Sequence, residues 1–282
     1  MKLDRHAIGL AFLRGVESSF HHEVRFFEDT YALKLIPGTA FKLVSGLTKF
    51  RYFRNKIIKR YEKSVPGLYG NMVCRTRYMD EKLNEASLEG YKNVVIIGAG
   101  LDMRAYRIDG LESLNFFELD SAPMSDYKQK NIQPLIRTSQ HVTYLPINLK
   151  NESLQQNLQE AGCDNTLKTL FIWEGQTQSL PETQVTSILK TVASFPKGSE
   201  IIFSYILKSL IPEYSQEEIE ENLVKWQFGL EPQQVSAFLA KQGLQLVEDI
   251  DSIEFEKRYI QPSERALTCL KTEHTVLAKV NA

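Results

Sequence analysis

The chain has 282 residues, enough for one large domain, or a domain with an appendage, around a sizeable core. Hydrophobic residues make up 43% and charged residues 24%, an ordinary soluble composition, and a formal net charge of −1 gives no whole-molecule field to draw in nucleic acid or membrane. Cys74, Cys163 and Cys269 are odd in number and widely spaced, and the five histidines show no HExxH spacing, so no disulfide framework and no metal site is expected.

The opening stretch "MKLDRHAIGLAFLRG" lacks the apolar run and cleavage site of a signal peptide. No segment approaches the roughly 20 apolar residues of a membrane helix. A cytoplasmic protein is therefore expected. Residues 1–88 read as helical. Ile8, Phe12, Leu13 and Val16 fall at helical spacing, and "DTYALKLIPG" is a short helix closed by Pro37-Gly38. "TAFKLVSGLTKFRYFRNKIIKRYEKSVPGL" is basic and aromatic-rich. Such a stretch suits RNA or an anionic surface, but a solvated face on an amphipathic helix is the expectation. "LYGNMVCRTRYMDEKLNEASLEG" continues as helix, with Met72, Met79 and Leu83 on its apolar side.

From Tyr91 onward strands and helices alternate. Strands are expected at 93–97, 114–119, 142–147, 169–173, 200–205, 244–250 and 275–280. Several are continuous apolar runs, as for strands covered on both faces. Alternation over this length predicts a doubly wound α/β sheet. A helical insertion at about 209–230 interrupts it. The expected division is a helical lid over 1–88 and a cofactor-binding core over 89–282.

"VVIIGAGLDMRAYRI" places the first strand before the turn Gly98-Ala99-Gly100, where glycines permit close approach of a ligand. Asp120 closes the second strand in "FFELD", twenty residues after Gly100, where an acid accepts hydrogen bonds from ribose hydroxyls. An adenosine cofactor fits this pair. A dinucleotide fingerprint needs a third glycine, but that place is Met103, and Asp102 at the expected helix N-cap competes with pyrophosphate. S-adenosyl-L-methionine carries no phosphate and suits the turn better.

These stretches, with "WEGQTQSLPETQ", "CRTRYMDEKL", "FFEDTYALKLIP" and "FGLEPQQVSAFLAKQGLQLVED", resemble the leucine carboxyl methyltransferase family. That family includes bacterial S-adenosylmethionine-dependent O-methyltransferases of polyketide and other secondary metabolism. The resemblance implies a class I methyltransferase (Rossmann-like) fold, a seven-stranded, mostly parallel sheet in the order 3-2-1-4-5-7-6. It implies roles too. Arg75 would clamp the cofactor carboxylate with its guanidinium fork. Gly98 would lie under the methionine moiety, with Gly100 in the same turn. Asp120 would hold the ribose, Asn148 and Leu149 would flank the adenine, and Glu174 would face the amino group. Arg104 and Arg107 are expected to fix the first core helix to its neighbours. Asn148 stands where the family has Asp, and "EGQTQSLP" replaces "EGLLMYLP", putting Ser179 at the tyrosine position.

Methyl transfer from a sulfonium asks the protein to orient and desolvate. A carboxylate acceptor is already ionised at neutral pH and needs no base, whereas a hydroxyl needs one. No catalytic base is assignable: His141 precedes the third strand. The expected reaction is O-methylation of a small, acidic molecule, carboxyl first, with no nucleic-acid or membrane partner and an open oligomeric state. The basic helices before residue 70 are expected to fold over the site. Two rival readings are a non-catalytic S-adenosylmethionine-binding protein and an NAD(P)-dependent reductase. The latter lacks its third glycine and a Tyr-x-x-x-Lys pair.

Overall fold

A computed structural model describes residues 3–38, 46–136, 142–212 and 226–281. Helix α1 (Arg5–Glu17) starts on Asp4, whose carboxylate accepts the His6 N–H, and it buries Phe12, Leu13 and Val16. Helix α2 (Ala32–Leu35) follows, then α3 (Arg51–Ser64) and the long α4 (Leu68–Leu88). The turn into α4 is closed by Glu62, whose carboxylate accepts the N–H groups of Gly67 and Tyr69 at 2.8 and 3.0 Å.

The core then alternates. It runs β1 (Asn93–Ile97), α5 (Arg104–Arg107), β2 (Asn115–Asp120), α6 (Ala122–Ile132), β3 (Val142–Pro146), α7 (Leu154–Glu160), β4 (Thr169–Trp173), α8 (Glu182–Ala193) and β5 (Glu200–Ile206). After it come α9 (Pro232–Ala240), β6 (Leu244–Ile250), a helical segment of three pieces, Ser252–Phe255, Glu256–Ile260 and Gln261–Ser263, and β7 (Glu273–Val280). The seven strands form one sheet in the order β3-β2-β1-β4-β5-β7-β6. Strands β1 to β5 are parallel, and β7 runs antiparallel to both β5 and β6. The expected strands stand where the sequence puts them, with small differences at the ends. The start of β7 is two residues earlier than expected, at Glu273, and that difference matters for the site. The expected insertion falls largely on residues 213–225, outside the described residues.

Strand alternation sorts the core into two layers. Val94, Ile96, Leu170, Ile172 and Ile202 face one side with Met72, Met79 and Leu83 of α4. Val95, Ile97, Phe171, Trp173 and Phe203 face the other, against Val185, Ile188 and Leu189 of α8. β1 and β4 are buried along their whole length, which explains their unbroken apolar sequence. Helix α4, the last stretch of the expected N-terminal lid, packs in the layer on the sheet. Cys74 on α4 and Cys269, far apart in sequence, meet there as buried free thiols with sulfurs 3.7 Å apart.

Candidate functional site at the carboxyl edge of the sheet

The turn after β1 has both glycines in left-handed backbone, φ +70° at Gly98 and +51° at Gly100, which a side chain adopts only under strain. Their amides are not presented outward. The N–H groups of Gly98 and Ala99 donate to the Leu119 carbonyl at 2.8 and 2.9 Å, and the Gly100 N–H donates to Asp120 Oδ2 at 2.7 Å. Asp102 N–H donates to the Ala99 carbonyl, and Asp102 Oδ1 accepts the Arg104 N–H at 2.8 Å. The helix cap itself is Met103, one residue later than expected, and α5 has only four residues. The glycines therefore supply space, and the amides of Gly98, Ala99, Gly100 and Asp102 are spent inside the turn rather than presented as a pyrophosphate cradle.

Asp120 ends β2 half-buried. Oδ1 accepts from the Ser121 N–H and hydroxyl at 2.6 and 3.1 Å. Oδ2, which accepts only the Gly100 N–H, still has a lone pair to offer a ribose hydroxyl, and the Ser121 hydroxyl can turn away from Oδ1 to free a second. Burial raises its pKa, against the backbone donors that lower it.

Arg75 and Glu174, 99 positions apart, are brought into contact. Arg75 Nε and Nη2 donate to Glu174 Oε1 at 3.0 and 2.8 Å, and Nη1 donates to Glu273 Oε1. Glu273 is a site residue the sequence reading missed. It is reachable only because β7 runs backwards, which puts its first residue at the carboxyl edge of the parallel strands. Asn71, one turn earlier on α4, also donates to Glu273, at 3.0 Å. Glu174 Oε2 accepts from Arg104 at 3.3 Å, and Arg104 also holds Asp80 at 2.9 Å and Asp102. Asp80 accepts from Arg107 at 2.6 Å, and Asp29 links Arg107 to Arg14, at 3.9 and 3.1 Å. Arg104 and Arg107 thus fix α5 to its neighbours, as expected.

The result is a continuous chain, Arg14–Asp29–Arg107–Asp80–Arg104–Glu174–Arg75–Glu273, with Asp102 branching from Arg104. Four arginines face five carboxylates. Burial opposes the Glu174 charge, but Arg75, Arg104 and Arg14 outweigh it and hold the carboxyl down at about 2. Asp102 is likewise held below its ordinary range by Arg104, Arg14 and Lys128 against burial. A second buried pair, Lys128 with Glu118, ties α6 to β2, and Lys128 also donates to the Asp102 carbonyl.

The loop after β4 completes the site. The Gly175 N–H donates to Ser204 Oγ at 2.8 Å, and Thr177 Oγ1 to the Ser204 carbonyl at 2.5 Å. The Gln176 side chain fills the space directly over Gly98. Ser179 is exposed. Asn148 is exposed after β3, its Oδ1 accepting the Lys150 N–H at 3.2 Å, and Leu149 packs into the α8-side core. What covers the turn is the start of α1: Ala7 abuts Gly100, and His6 Nε2 lies beside Gly175. His6 is a second residue that sequence reading missed, since nothing local links it to a strand end 169 positions away. Among the described residues, the one cluster with metal-ligand reach is His21, His22 and Glu23, all exposed.

The reversed β7, the strand order and the acid closing β2 define the class I methyltransferase fold. The profile of the family described as "Leucine carboxyl methyltransferase" matches residues 7–193, and the chain belongs to that family. A Mycolicibacterium gilvum protein named "Putative S-adenosyl-L-methionine-dependent methyltransferase" is 28% identical over 159 residues, 55% of this chain and 52% of that one. The chain thus spans about half the length of the first relatives it matches. A Bacillus subtilis protein of the same description, YktD, is 24% identical over a 290-residue alignment covering 95% of each. A crystal structure from Thermobifida fusca, titled as that of a putative methyltransferase, superposes with a TM-score of 0.59 at 10% identity, covering 96% of this chain and 94% of that one, a likeness of fold.

Proposed function

We propose that the chain is an S-adenosyl-L-methionine-dependent methyltransferase that methylates an oxygen of a small acidic molecule, a carboxylate first and a hydroxyl second. A role in secondary metabolism is part of this reading. The observation that carries it is the charged chain ending at Glu174–Arg75–Glu273 beside a turn whose two glycine amides are spent on Leu119 and Asp120. With one carboxylate in excess, the chain suits a cofactor whose amino-acid end is neutral overall and whose sulfonium is cationic. A nicotinamide dinucleotide brings a pyrophosphate, and the glycine amides that would cradle it are already spent on Leu119 and Asp120.

When bound, the cofactor supplies an electrophilic methyl group on a cationic sulfur. The protein's own residues then have defined tasks. Asp120 accepts from the ribose hydroxyls. Arg75 retains two N–H groups not engaged by Glu174 or Glu273, enough to hold one carboxylate. Glu174, ionised because of its arginines, faces the ammonium. Asn148 and Leu149 flank the adenine. The start of α1, rather than the basic helix α3, excludes water over the turn and carries the lid role. In the transfer, the acceptor oxygen's lone pair forms the C–O bond as the C–S bond breaks and its electrons return to sulfur. A carboxylate acceptor needs no proton removed. A hydroxyl does, and His6 is the group placed to take it.

Transfer of a labelled methyl group to a panel of carboxylic and phenolic metabolites tests the reading. Label on a carboxyl oxygen, unchanged in rate by His6→Ala, supports it. A phenolic product lost 10²-fold or more on His6→Ala selects the hydroxyl reading. Tight S-adenosylhomocysteine binding without transfer to any acceptor would make the chain a binding protein.

A further inference from the structure

Helix α3 carries Arg51, Arg54, Lys56, Lys59, Arg60 and Lys63 against one acid, Glu62, within a protein of net charge −1. The structure shows what that near-zero total conceals. Glu62 is turned inward to the Gly67 and Tyr69 amides and neutralises none of the cations. Arg54 is turned inward as well, over the Phe20 ring at 3.9 Å and onto the Ser19 carbonyl at 2.9 Å. The five others make no ion pair among the described residues. Tyr52, Lys56, Lys59 and Lys63 are all exposed and follow one another at spacings of four, three and four, so they form a single outward stripe. Its length is about 16 Å. At its amino end stand Phe50, Tyr52 and Phe53, 61%, 70% and 39% exposed, with Tyr52 and Phe50 each packed edge-on to Phe53. Leu47 lies exposed on the turn before them.

A solvated helix face, the expectation from sequence, explains the lysines but not three adjacent exposed aromatic rings. We propose that α3 and the turn at 46–50 dock the protein on an anionic phospholipid bilayer. Lysines of the stripe lie against headgroup phosphates, and Phe50, Tyr52 and Phe53 enter the interfacial layer, where amphipathic rings are favoured. The cations lie on the convex outer face of a helix, which matches a plane. Single-stranded nucleic acid is held in a groove lined by stacking rings, and here the rings stand at one end rather than along the cations. No described helix is long and apolar enough to cross a membrane, so the attachment is peripheral, weak and reversible. The inference is independent of the methyl-transfer reading.

Co-sedimentation of the full chain with vesicles tests it. Vesicles of phosphatidylcholine with phosphatidylglycerol should bring the protein down, and phosphatidylcholine alone should not. The K56Q/K59Q/K63Q variant should bind the anionic vesicles about 100-fold more weakly, about fivefold for each lysine, with an unchanged Tm because all three are exposed. The F50S/Y52S/F53S variant should also bind more weakly, with its remaining binding abolished by high salt. Absence of sedimentation with anionic vesicles, equal sedimentation with neutral ones, or displacement from anionic vesicles by an equimolar oligothymidylate would overturn the proposal.

Discussion

Gly98 and Gln176 share one small volume over the turn. A Cβ at Gly98 would collide with the Gln176 side chain and would also force left-handed backbone on a residue with a side chain. Gly98→Val should therefore abolish S-adenosylhomocysteine binding, at a stability cost of about 1–2 kcal/mol for the strain, leaving a cooperative thermal transition. Gln176→Ala acts oppositely. It clears the space and should tighten binding several-fold by calorimetry; a loss of affinity would show instead that Gln176 contacts the ligand. Glu174 gives a pH signature. Its carboxyl is held at about 2 in the folded protein against an ordinary 4.5. The folded state thus favours the ionised form. That contribution is complete above about pH 4.5 and is lost as pH falls towards 2. Thermal melts across this window should show wild-type Tm falling, and Glu174→Gln should have a lower Tm at neutral pH with a shallower fall. An identical pH slope in the variant would remove Glu174 from the charged chain. Arg104 is 1% exposed and holds three carboxylates. Arg104→Ala should cost about 3–5 kcal/mol, seen as a lower denaturant midpoint.

Helix α4 is the element that joins site to scaffold. Its apolar side lies on the sheet while Asn71 and Arg75 reach the carboxyl edge. Gly70 lets it approach the 267–270 segment, because a Cβ there would strike the Thr268 carbonyl. Alanine normally favours a helix by about 1 kcal/mol over glycine. Gly70→Ala should nevertheless lower Tm, and a rise would mean the segment yields freely. The strands and this helix were legible in sequence because their signals are local: apolar runs for β1 and β4, Met72, Met79 and Leu83 at helical spacing for α4. Where α4 packs is not a local property, since it depends on partners far away in the chain. Asp120 and Gly98 were legible for the same local reason, a fixed distance from a strand end. Glu273 and His6 were hidden, one by the reversal of β7 and the other by the way α1 folds over the turn.

At the scale of the whole molecule, two charge patterns are folded into a nearly neutral chain. One is buried, four arginines against five carboxylates running from α1 to β7. The other lies on the outside of α3. Composition averages both away, which is why a net charge of −1 excluded less than it first did. The buried pattern places a cationic, phosphate-free adenosine cofactor at the carboxyl edge in the proposed reading, and everything said of methyl transfer rests on that. The most direct test is calorimetric titration of wild type and Asp120→Asn with S-adenosylhomocysteine and with NADH. Wild type should bind S-adenosylhomocysteine and not NADH, and Asp120→Asn, which can accept from only one of Gly100 and Ser121, should bind it at least tenfold more weakly at a modestly lower Tm with a single cooperative transition. NADH binding with no response to S-adenosylhomocysteine, or wild-type affinity in Asp120→Asn, would contradict the account.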